Sequence, residues 1–261
     1  MADYEHLIVK QGAVSEVILN RPEVRNATSD VTLKELTRAF RELSKRSNLR
    51  AVVVKGEGKD FCAGADINWM RTAGRLPPQQ ARADAMLLVD MGVAIEECPV
   101  PVVAKVHGAV FGGGLGLTAA CDIVVAETDA RMCFSEARLG ITPAVISCFV
   151  IPKIGAAAAR RYYLTAEVFG MATALKMGLV HEVCQHGDLD KKVDDIVAGI
   201  RKNGPNAVRE AKALLRKFPQ LDFNSRVSLV LDTLARLRAS PEGQEGLSAF
   251  LEKRAPSWAQ P

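Results

Sequence analysis

Phe61-Cys62-Ala63-Gly64-Ala65-Asp66 is a glycine-bearing turn placed after an apolar run, and the arrangement recurs at Phe111-Gly112-Gly113-Gly114-Leu115-Gly116-Leu117. The preceding runs, residues 51–55 and 100–106, read as strands, and each turn opens a stretch able to start a helix. Glycine lets the backbone turn tightly and lets a ligand approach with no Cβ between. The first N–H groups of a new helix lack intrahelical acceptors and carry partial positive charge. Two such groups aimed at one point make an oxyanion hole, a site for charge developing on a carbonyl oxygen. Glu136 follows downstream, and a carboxylate beside such a hole supplies the other half of carbanion chemistry next to a carbonyl.

Outward from these turns, residues 4–10 and 13–19 alternate like two antiparallel strands joined at Gln11-Gly12. Ser29 or Asp30 is placed to cap an amphipathic helix over residues 31–45, with Leu33, Leu36, Phe40 and Leu43 on one stripe. The polar, proline-bearing residues 71–80 read as a loop near the site, and residues 81–97 as a helix that stops before Cys98-Pro99. A helix to Ala120 and an apolar strand over residues 123–126 follow the second turn. This strand–helix alternation predicts an α/β fold with a parallel sheet. From Val145 onward the chain reads as helical, with breaks at Pro205 and Pro219 and a last amphipathic helix from Ser240 to Arg254. The expected division is an αβ core over residues 1–200 and a helical part over residues 201–261. Val227, Leu229, Val230, Leu231 and Leu234 give the latter an apolar surface too large to leave in water.

The 261 residues suit one α/β domain with a small helical appendage, and 48% apolar with 25% charged residues is an ordinary globular balance. A net charge of +4, spread along the chain without a dense basic, aromatic-studded run, mildly favours anionic small molecules and argues against nucleic acid. No apolar run approaches a membrane span, and Met1-Ala2-Asp3-Tyr4-Glu5 lacks the pattern of a signal peptide. Six cysteines with no C-x-x-C pair read as free thiols in a reducing compartment, so a cytoplasmic location is expected. Four histidines without ligand spacing make metal chemistry unlooked-for.

The second turn fails the nucleotide patterns. Leu115 and Leu117 stand where a dinucleotide fingerprint needs glycine, and no Gly-Lys-Ser/Thr follows. No serine stands between two glycines, as a hydrolase elbow requires. Taken alone, the turn reads equally as a helix packed tightly on a sheet. Asp66 suits a helix start, Asp122 a structural role, and Cys62 and Cys133 inert packing, since no base neighbours either. Trp69 and Met70 are candidates for walls of an acyl pocket.

Together the motifs resemble the crotonase superfamily, the enoyl-coenzyme A hydratases and isomerases. They are Leu19-Asn20-Arg21-Pro22 with Asn26-Ala27, then the two turns, Cys121-Asp122, Ser135-Glu136-Ala137-Arg138-Leu139-Gly140, Ser240-Pro241-Glu242-Gly243 and Phe250-Leu251-Glu252-Lys253-Arg254. Pro143-Ala144-Val145-Ile146-Ser147 looks most like bacterial methylglutaconyl-coenzyme A hydratase-type members. The resemblance implies a ββα spiral core with a helical C-terminal trimerisation region, assembled as a homotrimer or a hexamer of paired trimers. It implies an acyl-coenzyme A substrate and no separate cofactor. The oxyanion amides fall on Ala65 and Gly113, the adenine contact on the backbone of Ala63, and phosphate contacts on Arg25 and Lys253. Asp66, Ile67, Trp69, Gly112 and Gly116 fall around the bound thioester. Of the two glutamates of family hydratases, the second is Glu136, whereas Gly116 replaces the first; Ala144 replaces the aspartate of dienoyl isomerases. Apolar Phe134 and Leu139 are expected to raise the Glu136 pKa. The implied activity is hydration of an enoyl thioester, with a 3-enoyl to 2-enoyl isomerase as alternative. A weakly catalytic acyl-coenzyme A- or RNA-binding protein is the alternative from another class.

Overall fold

The fold is built on a six-stranded sheet, seen in a computed structural model that describes residues 3–259. Strands β1 (Leu7–Lys10) and β2 (Val14–Leu19) form an antiparallel hairpin. Parallel pairing then runs from β2 to β3 (Ala51–Gly56), β4 (Val102–Val106), β6 (Ile123–Glu127) and β9 (Glu182–Cys184). A second sheet holds β5 (Ala109–Phe111), β7 (Arg131–Cys133) and β8 (Phe169–Gly170), with β5 and β7 parallel and β8 antiparallel.

The central strands are apolar throughout because both faces are covered. Val52, Val54, Val102, Ala104, Val124 and Ala126 face a large core completed by α1 (Asp30–Ser44) and α3 (Pro78–Glu96). The alternate residues Val53, Val103 and Val125 face Leu189, Val193 and Val197 of α7 (Leu189–Arg201). Each such side chain fully buried stabilises the fold by about 1.5–3 kcal/mol. Helix α1 starts at Ser29 as its sequence requires: Ser29 Oγ accepts from the Thr32 N–H, and the Thr32 hydroxyl accepts in return from the Ser29 N–H.

Two expectations need correction. Residues 71–80 are not one loop: α2 (Ile67–Ala73) runs through Arg71, and α3 begins at Pro78. Proline at the first helical position lacks an N–H that would be unpaired there anyway, so Pro77-Pro78 starts a helix instead of prolonging a loop. The region after Val145 is also not wholly helical. Helices α5 (Ser147–Thr165) and α6 (Met171–Lys176) are interleaved with β8 and β9. Strands of two or three residues carry too little period-2 signal to be read from sequence.

Beyond α7 the described chain is helical: α8 (Pro205–Lys217), α9 (Phe223–Ala239) and α10 (Pro241–Leu251). Lys212 on α8 is sunk against the core, donating to Val100 O at 3.0 Å and Asp122 Oδ2 at 2.6 Å. Asp122 therefore has the structural role expected of it. By contrast α9 and α10 leave Phe223, Leu231, Leu234, Phe250 and Leu251 in water. Among the described residues no helix is long and apolar enough to cross a membrane.

Candidate active site

The two turns are threaded side by side by strand-like bonds. Cys62 N–H donates to Ala109 O at 3.1 Å, and Phe111 N–H to Cys62 O at 3.0 Å. Farther along, Thr28 N–H donates to Gly64 O and Asp66 N–H to Thr28 O, both at 2.8 Å. Successive peptides of an extended chain point to opposite sides. Because Gly64 and Asp66 both face Thr28, the Ala65 N–H faces away from it. Among the described residues no backbone acceptor takes the N–H of Ala65 or that of Gly113.

Helix α4 (Gly113–Ala120) delivers the second amide. Gly112 precedes it at φ +46°, a left-handed conformation that L side chains rarely adopt. Gly114 brings the helix against Cys62; a Cβ there would stand 2.7 Å from Cys62 O. These contacts explain the glycines by packing, and the packing places the amides. A methyl group on Gly113 would lie 3.9 Å from Ala65 N, so the two unpaired amides lie close together.

Glu136 sits in a short turn of 3-10 helix, Ser135–Leu139. A Cβ on Gly112 would stand 3.4 Å from Glu136 Oε1, placing the carboxyl group beside the α4 N-terminus. Its other oxygen, Oε2, is buried and has no hydrogen-bond partner among the described residues. Burial pushes the Glu136 carboxyl above its ordinary pKa, partly opposed by its own backbone amide. Phe134 is fully buried, as expected, but Leu139 is 53% exposed and is no part of a dry wall.

Ala65, Gly113 and Glu136 line one end of a cavity of about 330 Å³. The remainder of its wall comes from α2, α3 and the segment 141–146. Trp69 and Met70 are there as expected from sequence. Asp84, Ala85 and Leu88 of α3 were not foreseen, nor was the lining role of Ile141 and Thr142. The one available signal was the stripe Leu88, Met91, Ile95 on one face of α3: Met91 and Ile95 enter the core, and Leu88, packed beside them, also reaches the cavity.

Other expected site residues are placed differently. Gly116 is fully buried and does not line the cavity; a Cβ on it would lie 2.5 Å from Ile146 Cγ2, so glycine makes room for a cavity wall. Asp66 is engaged as the cap of α2, accepting from Asn68 N–H at 2.9 Å and from Arg21 at 3.1 Å, which leaves it structural. Ile67 is 60% exposed and outside the lining. Arg25, itself left-handed at φ 56°, donates through Nε to Asp60 Oδ2 at 2.7 Å and keeps its guanidinium partly in water. The Ala63 N–H bonds Arg25 O, and Lys253 lies in the exposed turn after α10, away from the cavity lining. Cys62 is buried and its thiol pushed up to about 11 by that burial, which suits packing and not nucleophilic attack.

Two free amides close together, in one cavity with a buried carboxyl group, is the arrangement the motifs implied. The family model described as enoyl-CoA hydratase/isomerase matches residues 9–261. The chain belongs to the enoyl-CoA hydratase/isomerase family. A crotonyl-CoA hydratase of Syntrophomonas wolfei is 33% identical over 254 residues, covering 96% of each chain. A short-chain-enoyl-CoA hydratase of Clostridium acetobutylicum is 30% identical, covering 95% of each. Among solved structures, an enoyl-CoA hydratase from Shewanella pealeana superposes with a TM-score of 0.92 at 36% identity, over 97% of this chain and 96% of that one. The α/β architecture described above is therefore the crotonase fold, and this enoyl-CoA hydratase/isomerase family member carries its helical C-terminal region.

Proposed function

We propose that this protein adds water across the 2,3 double bond of an enoyl-CoA thioester. The observation that carries the reading is Glu136, a buried carboxyl group with one unpartnered oxygen, in the same cavity as the free amides of Ala65 and Gly113. The thioester oxygen is placed between the two amides. A carboxylate oxygen of Glu136 takes a proton from water as the water oxygen bonds to C3. The double-bond electrons move through C2 onto the thioester oxygen, where the amides hold the enolate charge. Removing one such donor costs about 2.7–4 kcal/mol in other oxyanion holes. The enolate then collapses, and C2 takes the proton from Glu136, which returns to its starting state.

One carboxyl group performs both transfers in this scheme, since the place beside Gly116 is filled by Ile146 and Leu88. The raised pKa of Glu136 makes its carboxylate a stronger base toward water, and brings the group closer to the range in which one carboxyl can both take a proton and return it. The same observation favours a second reading, in which Glu136 moves a proton between carbons of a 3-enoyl chain. Incubation in heavy water separates them. Hydration gives a 3-hydroxyacyl product with deuterium at C2; double-bond migration without any hydroxyacyl product establishes the isomerase instead. Crotonyl-CoA and methylglutaconyl-CoA are the linear and branched substrates to compare.

The same reading extends to the rest of the chain. Arg25 and Lys253 are taken to meet the phosphates of the coenzyme, Lys253 across a subunit boundary, and the backbone of Ala63 its adenine. Residues 201–261 are taken as the assembly region of a trimer or hexamer, supported by the exposed apolar residues of α9 and α10. Six free cysteines suit the cytoplasm.

A further inference from the structure

The acyl end of the cavity lies between two helices that touch little. Helix α2 has no buried residue, and Ala73 near its end and Ala81 near the start of α3 both line the cavity. The cavity therefore runs along the seam between α2 and α3, toward the four-residue connection 74–77. One side-chain hydrogen bond crosses that seam among the described residues: the Trp69 indole Nε1–H donates to Asp84 Oδ1 at 3.1 Å. Both partners line the cavity. Asp84 is half-buried among alanines and Leu88, and among the described residues no lysine, arginine or histidine pairs with it. A half-buried carboxylate whose protein partner is a neutral indole is a poor choice for packing alone, where an alanine or leucine would cost less.

We infer that the Trp69–Asp84 hydrogen bond is a clasp that closes the acyl channel and sets the chain length the protein accepts. Resting on the hydratase reading for its turnover assay, the inference makes Asp84 a positioning residue that acts through the Trp69 ring. With the bond in place, the ring stands across the seam and a short chain fills the space before it. With the bond removed, the ring keeps only its packing against the core and is free to swing, and a longer chain passes between Ala73 and Ala81.

The test compares 2-butenoyl-CoA with 2-octenoyl-CoA in the native protein and in Asp84→Ala, Trp69→Phe and Asp84→Asn. Trp69→Phe keeps a ring and deletes the donor; Asp84→Asn keeps an acceptor oxygen. The first two variants are expected to raise the octenoyl-to-butenoyl ratio of kcat/KM about tenfold, the scale on which pockets discriminate small changes in chain length. The gain should fall on the KM of the long substrate, and the double variant should gain no more than either single one. Asp84→Asn should hold the native ratio to about twofold. A uniform loss across both substrates, or a native ratio in both deletion variants, overturns the clasp. A shift in Asp84→Asn as large as in Asp84→Ala also overturns it, since charge and not the hydrogen bond would then set the ratio. Dissociation constants for butanoyl-CoA and octanoyl-CoA give the same ratio without turnover. If no enoyl thioester is hydrated, the function fails while these constants still decide the clasp.

Discussion

The two ends of the cavity are built on different principles. At the proposed thioester end the groups assigned to the chemistry are main-chain amides on segments locked by parallel bridges, Thr28 to Ala65 and Cys62 to Val110, with every residue of α4 buried. At the proposed acyl end the wall is a seven-residue helix with no fully buried residue, fixed by an Asp66 cap, one side-chain hydrogen bond and the partial packing of Trp69 on the core. Chemistry that needs donors held in one place is assigned to the rigid end. Selection among chains, which tolerates looser placement, is assigned to the adaptable end. The contrast shows that rigidity is distributed by the precision each task needs.

Breaking the rigid end should give the largest effects. Glu136→Gln keeps shape and removes the proton carrier, so hydratase turnover should fall roughly 10²–10⁴-fold, with coenzyme A thioester binding retained. Near-normal kcat in that variant would exclude Glu136 from the mechanism. Gly116→Glu tests whether the space there is free. Its Cβ would meet Ile146 Cγ2 at 2.5 Å, and overpacking of a filled core costs about 1–3 kcal/mol. A lower denaturation midpoint and a disturbed 145–146 wall are therefore expected, with no gain in turnover; a variant as stable as the native protein would show the space to be open.

Two smaller effects sharpen the contrast. Asp66→Ala deletes the cap of α2, which should cost about 1 kcal/mol. Because α2 contributes no buried residue, that loss should show as faster amide exchange in residues 67–73 while the sheet stays protected. Exchange rising equally in β3 and β4 would show that α2 is no separate unit. The last test uses pH. The folded-state pKa of Glu136 is raised, so the native protein loses stability as pH climbs from the unfolded carboxyl value through the raised one. Glu136→Gln lacks that loss. Its Tm relative to native should rise as pH climbs above the ordinary glutamate value of about 4.3, and a difference that stays flat there would contradict the burial of the carboxyl group.

What was legible in the chain follows the same divide. The turns at 61–66 and 112–116 and the carboxyl group of Glu136 could be found because fixed backbone geometry demands particular residues at fixed spacing. Gly116 shows the limit of that signal. Its sequence position suggested a substrate contact, yet the physical demand comes from Ile146, a residue brought there by tertiary packing. Asp84 stands in the run Arg82-Ala83-Asp84-Ala85 like any solvated helix position, and only the approach of α2 gives it Trp69. The α2–α3 connection was overestimated because a proline pair signals a loop and a helix start alike. Strands β5, β7, β8 and β9 were too short to announce themselves, although β9 closes one edge of the main sheet.

That the proposed oxyanion donors belong to the main chain has a consequence for how such a protein can change. A side chain is replaced by one mutation, but an N–H persists through nearly every substitution, proline excepted. Descendants of this chain can therefore exchange acids, reshape the wall at Trp69 and Asp84, and try new acyl groups without losing the means to hold an enolate. Heredity keeps the costly half of the catalyst in the backbone and leaves the variable half to single codons.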